Sequence, residues 1–467
     1  MPDLPLTVGN YGRSRVNLPQ TRLVNAYIEK SSGGPSNVIR TTRPGLTRQY
    51  TLGTGPILAI FQQPGLFSGD VFTISGTGFY RNETFIGEVA YSQNPQMAAA
   101  NGLMAIVSGG ALYIYDGVTL TQQMHFDDNY SPLLPFSGVC VLYNIFLYPV
   151  IGSDQFFFSS VGNPAIINAA NFSTAQTAPD QILYMSVLAE EVYIFGETSI
   201  EIWNFTGALT APFALSVGRT YARGCAAGAS VVKLDNSLFW IADNLVVYKT
   251  TQVPFRISTS FIEDRLRKAG TNFSQMTAFT VNIEGHVQYV INLPSINESY
   301  AYDCQTNEWS RWGSQYGLDY DPGMFMGALT AGQGEYVYVG SAIDGRIWIF
   351  DTETHLDDTT HIQVVVSGAM WTDGGVIKNT NVSLHCVRGV ATQATPDPIV
   401  EMRYSDDGGR TFTSWMRGHL GTVGNYNYKA TWRSLGIIKQ PGRLFEFMVA
   451  DNVNTTIEGA SFNEARV

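Results

Sequence analysis

Leu103-Met104-Ala105-Ile106-Val107-Ser108-Gly109-Gly110-Ala111-Leu112-Tyr113-Ile114-Tyr115-Asp116-Gly117 is the phrase on which the fold turns. An apolar run meets a Gly pair and continues as a second, alternating run, the pattern of two antiparallel strands joined by a tight turn. The phrase recurs. Val192-Tyr193-Ile194-Phe195-Gly196 leads to Ile200-Glu201-Ile202-Trp203, and Leu238-Phe239-Trp240-Ile241 passes through Asp243-Asn244 to Val246-Val247-Tyr248. Val287-Gln288-Tyr289-Val290-Ile291 precedes Tyr300-Ala301-Tyr302-Asp303, and Tyr336-Val337-Tyr338-Val339-Gly340 turns at Asp344-Gly345 into Ile347-Trp348-Ile349-Phe350-Asp351. Weaker copies begin near Val71 and Val141. The first apolar residues fall at 71, 103, 141, 192, 238, 287 and 336, so the last three intervals are 46, 49 and 49 residues. That spacing is a propeller blade: one four-stranded sheet cannot bury both its faces, so sheets stack around an axis and the last closes on the first. Seven phrases fit six blades or seven. Six is favoured, because the early short intervals leave little chain for two complete blades.

Outside the repeat the rhythm changes. Residues 1–50 carry Pro2, Pro5, Pro19, Pro35 and Pro44 and the flexible Ser31-Ser32-Gly33-Gly34, so they read as an extended arm with little core of its own. Arg13, Arg15, Arg22, Lys30, Arg40, Arg43 and Arg48 give that arm a basic face suited to docking on an acidic surface, either that of the propeller in the same chain or that of a neighbouring protein. The propeller is assigned to residues 51–352. Residues 360–467 hold longer alternating runs, among them Ile399-Val400-Glu401-Met402-Arg403-Tyr404 and Arg443-Leu444-Phe445-Glu446-Phe447-Met448-Val449, and read as a C-terminal antiparallel β-sandwich. One short helix is expected over Phe261–Lys268, with Ser258, Thr259 or Ser260 as its cap. The polar stretches Asn168–Asp180 and Asp351–Thr360 read as loops.

Composition agrees with an all-β chain. Of 467 residues, 45% are apolar and 12% aromatic, with 46 Gly, a mix for strands and tight turns. Charged residues reach 14% against about 25% in an average soluble domain, which points to surface covered by other subunits. The net charge of −11 is uneven: residues 1–50 sum to +5, residues 360–467 to +1, and the middle to −17. An acidic middle does not hold nucleic acid tightly, since phosphate binding needs clustered Lys and Arg. Cys140, Cys225, Cys304 and Cys386 lie far apart and are expected as free, mostly buried thiols. No run of eighteen apolar residues and no basic-then-apolar leader is present, so the expectation is a chain made and assembled in a cytoplasm, with no membrane segment.

The motifs favour structure over catalysis. Ser405-Asp406-Asp407-Gly408-Gly409-Arg410-Thr411-Phe412 resembles an Asp-box. In that turn Asp407 accepts backbone N–H bonds, Gly409 takes positive φ and Phe412 packs back, with Ser405 and Thr411 as local partners. Phe255-Arg256-Ile257-Ser258 echoes the arginine motif that opens a sialidase propeller, which raises the alternative of a sialidase-type glycosidase or glycan-binding protein. The order argues against it: the motif should precede the first blade, one Asp-box is present, and no carboxylate pair is singled out by spacing. His355 and His361 bracket Asp357 and Asp358, but the spacing matches no compact metal motif. Nucleophile-elbow and phosphate-loop signatures are missing, so no enzyme activity, cofactor or metal is expected. Trp309-Ser310-Arg311-Trp312 is read as filling gaps between blades.

Two distant stretches carry a family resemblance. Leu23-Val24-Asn25-Ala26-Tyr27-Ile28-Glu29, Thr42-Arg43-Pro44-Gly45-Leu46 and Gly55-Pro56-Ile57-Leu58-Ala59-Ile60 are similar to the opening of the packaged-DNA stabilisation (tail hub or nozzle) proteins of short-tailed bacteriophages. The Asp-box, Trp432-Arg433-Ser434-Leu435-Gly436 and Phe445-Glu446-Phe447 resemble that family's C-terminal sandwich, and Arg256-Ile257-Ser258-Thr259 fits between them. The resemblance implies a non-enzymatic virion tail protein, a hexameric ring below the portal and its adaptor. It would continue the DNA channel, retain the packaged genome until ejection, and anchor fibres, spikes or a needle. Duplex DNA would be a passing, non-specific partner.

Overall fold

The structure is a computed structural model, and it describes residues 3–12, 21–30, 38–128, 130–175, 177–178, 180–208, 211–234, 236–314, 323–331, 337–372, 375–387, 389–426 and 428–466. The repeat folds as a β-propeller. Blade 1 is Ile57–Phe61, Phe72–Ser75, Gly78–Arg81 and Thr84–Glu88, paired in chain order. Blades 2 to 6 repeat that meander, with inner strands Gln96–Ala100, Cys140–Leu142, Ile182–Leu188, Val232–Leu234 and Thr277–Ile283. Blade 7 takes Gly327–Ala331, Tyr338–Ser341 and Arg346–Asp351 from the end of the repeat and its outer strand, Gly45–Thr51, from the start of the chain. Six blades are thus continuous in sequence, and a seventh closes the ring. Each gap between neighbouring blades holds its own apolar cluster; the last, Leu52, Ile57 and Ile347, joins blade 7 to blade 1.

The propeller class is as expected; the ring holds seven sheets, the higher of the two counts. Blade 1 fits its short stretch because two-residue turns, Gly76-Thr77 and Asn82-Glu83, join its outer strands, with Gly76 and Asn82 at positive φ. Asn168–Asp180, read as a loop, contains Phe172–Thr174, the outer strand of blade 3. Asp351–Thr360 likewise contains Leu356–Asp357, which pairs with Leu46 and with the strand Thr360–His361. The helix spans Ser260–Ala269, and the Thr259 hydroxyl accepts from the Ile262 N–H as its cap.

The C-terminal residues form a sandwich that the beginning of the chain completes. One sheet pairs Ala26–Lys30 with Val38–Thr42, Thr456–Arg466, Ile377–Cys386 and Thr431–Arg433. The other runs from blade 6 through Leu23–Val24 into Val364–Trp371, Gly442–Val449, Ile399–Ser405 and Met416–His419, so nine strands are continuous from the propeller axis to the sandwich edge. Ala26, Ile28, Leu384, Ile457 and Phe462 of the first sheet meet Val366, Met402, Phe445 and Phe447 of the second in one core. The described residues among 1–50, expected as an extended arm held by the propeller of the same chain or by a neighbour, form strands within the chain: Leu4 and Ile28 lie in the sandwich core, and Gly45–Thr51 moves the propeller's start back from residue 51.

Candidate functional site

The described basic residues of the first fifty do not share a face. Arg13 and Arg15 lie outside the described residues. Arg22 approaches Glu446 at 3.7 Å, and Lys30 is exposed at a strand end. Arg40 is buried, donating to the carbonyls of Leu6, Thr7 and Val38, and desolvation lowers its pKa to about 10. Arg48 pairs with Asp358. These side chains serve the fold at separate places because the strands that carry them enter different sheets.

Arg43 marks the seam between propeller and sandwich. It is fully buried, and its guanidinium forks onto Asp357 at 2.8 and 2.5 Å. The remaining N–H groups go to Asn25 Oδ1 (3.0 Å), the Pro44 carbonyl (3.1 Å) and the Gly313 carbonyl (3.2 Å), so all five donors are used. Trp312 and Phe325 cover its planar faces. Ser314 donates to Asp357, and Asn25, at positive φ, accepts from the Gly313 N–H and donates to the Gln363 carbonyl. The node ties together the N-terminal strands, the end of blade 6, the 350s connection and the start of the sandwich. Asp357, weighed in sequence beside two histidines as a metal ligand, is committed to this arginine. No group of three or more His, Cys, Asp or Glu that could hold a metal occurs among the described residues.

The Asp-box forms as a turn between Ile399–Ser405 and Met416–His419. Asp407 accepts from the N–H groups of Arg410 and Thr411, both at 2.9 Å, and from the hydroxyls of Thr411 (2.6 Å) and Ser405 (2.7 Å). Those bonds, the Thr411 hydroxyl first, hold its carboxyl far below the usual range. Gly409 has φ 89°, and Phe412 and Trp415 flank the Arg403 guanidinium, which in turn pairs with Glu446. Asp406 forks onto the buried Arg443. Both carboxylates of the turn are thus engaged, Asp407 within the turn and Asp406 with Arg443 of the neighbouring strand.

Other motifs also resolve into packing. Arg256 pairs with Glu263 at 2.5 Å and Ser258 donates to the same carboxylate, so the arginine motif steadies the start of the helix. Trp309 is buried and donates to the Ile257 carbonyl. Burial pushes the Cys140 and Cys225 thiols up to about 12, and all four cysteines are free. The propeller encloses an axial channel of about 910 Å³, lined by Ile60, Met97, Tyr184, Lys233, Asn282 and Thr330 among others, the size of a small-ligand cavity.

Comparison with known proteins gives a direction. A family model described as "Bacteriophage P22 Gp10, beta-propeller" matches residues 2–355, which takes in the first strands of the sandwich, all seven blades and the approach to Asp357. The tail hub protein gp10 of Salmonella phage P22 is 25% identical over 184 residues, covering 38% of this chain and 38% of its own length. Among solved structures, the computationally designed Ika8 protein aligns over 71% of this chain and 99% of its own, with 11% identity and a TM-score of 0.38. PorZ of Porphyromonas gingivalis aligns over 72% of this chain and 45% of its own, with 10% identity and a TM-score of 0.38.

Proposed function

The chain belongs to the phage-stabilisation family typified by the P22 Gp10 β-propeller, and from that premise we propose that it is the tail hub of a short-tailed phage, a homo-oligomeric ring, most simply a hexamer, below the portal and adaptor. The family match over the whole propeller carries this reading. In it the ring continues the DNA channel, retains the packaged genome until ejection, and anchors fibres, spikes or a needle at its far end.

The conduit is assigned to the axis of the ring, because a channel of about 910 Å³ within one chain cannot thread a duplex. Net −17 over residues 51–359 suits a surface past which DNA slides with few phosphate contacts to break. The engaged carboxylate of Asp407 supports a structural role over sialidase-type hydrolysis. Assembly is tested by native mass spectrometry of the chain alone and with its cognate adaptor, where a closed ring is expected. A chain that stays monomeric at high concentration with adaptor present contradicts the proposal. Gel-shift titration with free duplex should show weak, salt-sensitive binding without sequence preference, and nanomolar specific binding would contradict it.

A further inference from the structure

The connection from blade 7 to the sandwich is fastened along its length. Asp351, at the end of the strand Arg346–Asp351, accepts from the Thr47 hydroxyl (2.8 Å) and from the Glu353 N–H (2.9 Å). The Thr354 carbonyl accepts from the Gly45 N–H (2.9 Å), and the chain passes so close that a Cβ on Gly45 would lie 2.6 Å from that oxygen. The Asp358 N–H donates to the Leu46 carbonyl (2.8 Å), and Asp357 reaches Arg43. His355 joins this segment to the sandwich. Its backbone N–H donates to Asn452 Oδ1 (2.9 Å), beside Val453 of the sandwich core, and its carbonyl accepts from the Ile362 N–H (3.4 Å).

The imidazole differs from every other fastening in this segment. His355 is 9% exposed, and its Nδ1 is buried with no hydrogen-bond partner among the described residues. A neutral ring tolerates that, since its one proton can sit on Nε2 and leave Nδ1 a bare lone pair. A charged ring carries N–H on both nitrogens, and the one on Nδ1 is then buried without an acceptor. Desolvation accordingly lowers the pKa of His355, against the opposing charges of Glu353 and Asp351. Those two carboxylates are on its own segment; Glu353 is exposed, and Asp351 is already bonded to Thr47 and to the Glu353 N–H. Asp357 and Asp358 are held by Arg43, Arg48 and Arg346. On the sandwich side the group bonded to the residue is the Asn452 amide, and Asp451 beside it accepts from the Ile399 N–H at 2.6 Å. On the strand Thr360–His361, which pairs with Leu356–Asp357, His361 is exposed. No described side chain is bonded to the ring to receive the second proton.

We propose that His355 is an acid-sensitive fastening of the propeller to the sandwich: the neutral ring packs and holds the connection down, and protonation lifts residues 352–362. Lifting exposes the ring to water, where it takes a proton at its ordinary pKa. Because the folded pKa lies below that value, the closed connection has its full stability above the unfolded pKa and loses it as pH falls below. The opening equilibrium then rises by up to about tenfold per pH unit. A lifted connection no longer brings Asp357 to Arg43 or covers the outer edge of blade 7 along Leu46. Hydrogen–deuterium exchange read by mass spectrometry, corrected for intrinsic exchange rates, measures this opening. Protection of peptides covering 352–362 should fall by up to about tenfold between about pH 7.5 and about pH 5.5, while peptides covering Leu103–Ser108 of blade 2 keep theirs. In His355→Gln and His355→Asn, whose side chains do not titrate, protection of 352–362 should be the same at both pH values. An equal acid loss in wild type and variants, or no loss in wild type, would overturn the proposal. Should neither variant fold, the wild-type pattern decides: loss confined to 352–362 and the strand Gly45–Thr51 supports the fastening, and loss shared by blade 2 overturns it.

Discussion

Replacing Arg43 by Ala removes five donors from a fully buried site and leaves Asp357, whose side chain is 1% exposed, with the Ser314 hydroxyl but without its cationic partner. Breaking a buried pair on one side costs about 3–5 kcal/mol, because the remaining charge keeps its desolvation penalty and loses its attraction. At an m-value of about 3 kcal/mol/M, equilibrium urea unfolding should show a midpoint lower by about 1–1.7 M. Arg48→Ala is the control: that side chain is 45% exposed, and exposed pairs contribute about 0–1 kcal/mol. Replacing both buried partners, Arg43→Met with Asp357→Leu, should recover much of the loss, since apolar pairs of similar volume often match a buried ion pair. Limited proteolysis of Arg43→Ala should cut first in the 352–360 connection, which the node fastens. If Arg43→Ala shifts the midpoint no more than Arg48→Ala does, the node is not the seam between propeller and sandwich.

Asp407→Ala should lower the melting temperature at neutral pH, with no glycoside turnover in either protein. Because the folded carboxyl ionises below its unfolded value, its contribution is full above the unfolded pKa and is lost as pH falls through the folded one; the gap between wild type and variant should close in acid, and a gap independent of pH would contradict the turn's role. Cys140 and Cys225, buried with raised thiol pKa, should resist alkylation at pH 8 until the chain is unfolded, as a mass-spectrometric time course would read; rapid labelling of the native protein would count against the blade packing. Deleting residues 1–20 should destabilise the sandwich, since it removes Leu4 from the core and the pairing of Asp3 and Leu4 with Ser461 and Ala460; a truncated chain that melts like wild type would show these contacts to be dispensable.

Much of the architecture was legible because local pattern and global fold agree. Second strands such as Leu103–Ser108 and His286–Leu293 are buried on both faces and stand out as near-continuous apolar runs. Short outer strands do not: Phe172–Thr174 is three half-exposed residues in a polar stretch, which no periodicity distinguishes from a loop. Long-range closure was equally hidden. Gly45–Thr51 pairs with a strand some three hundred positions away, and Arg43 meets Asp357 across 314; such partners are set by the ring closing, not by spacing. The Asp-box was readable because its bonds, Ser405 to Thr411, are all local. The described basic residues of the first fifty take separate places, which the sequence hid because counting charges along the chain cannot say which strand each arginine rides on. The signal present in sequence was the Arg43-Pro44-Gly45 run, in which a Pro and a crowded Gly, its Cβ position 2.4 Å from the Leu356 carbonyl, mark a tight passage between sheets.

The most direct test of the tail-hub account is electron microscopy of assembled particles labelled with gold-tagged antibody against the C-terminal sandwich. The account predicts label confined to the tail, on a ring below the portal with a central opening on the particle axis. Label on the capsid shell, or none on intact particles with the chain left in the soluble fraction, would contradict it.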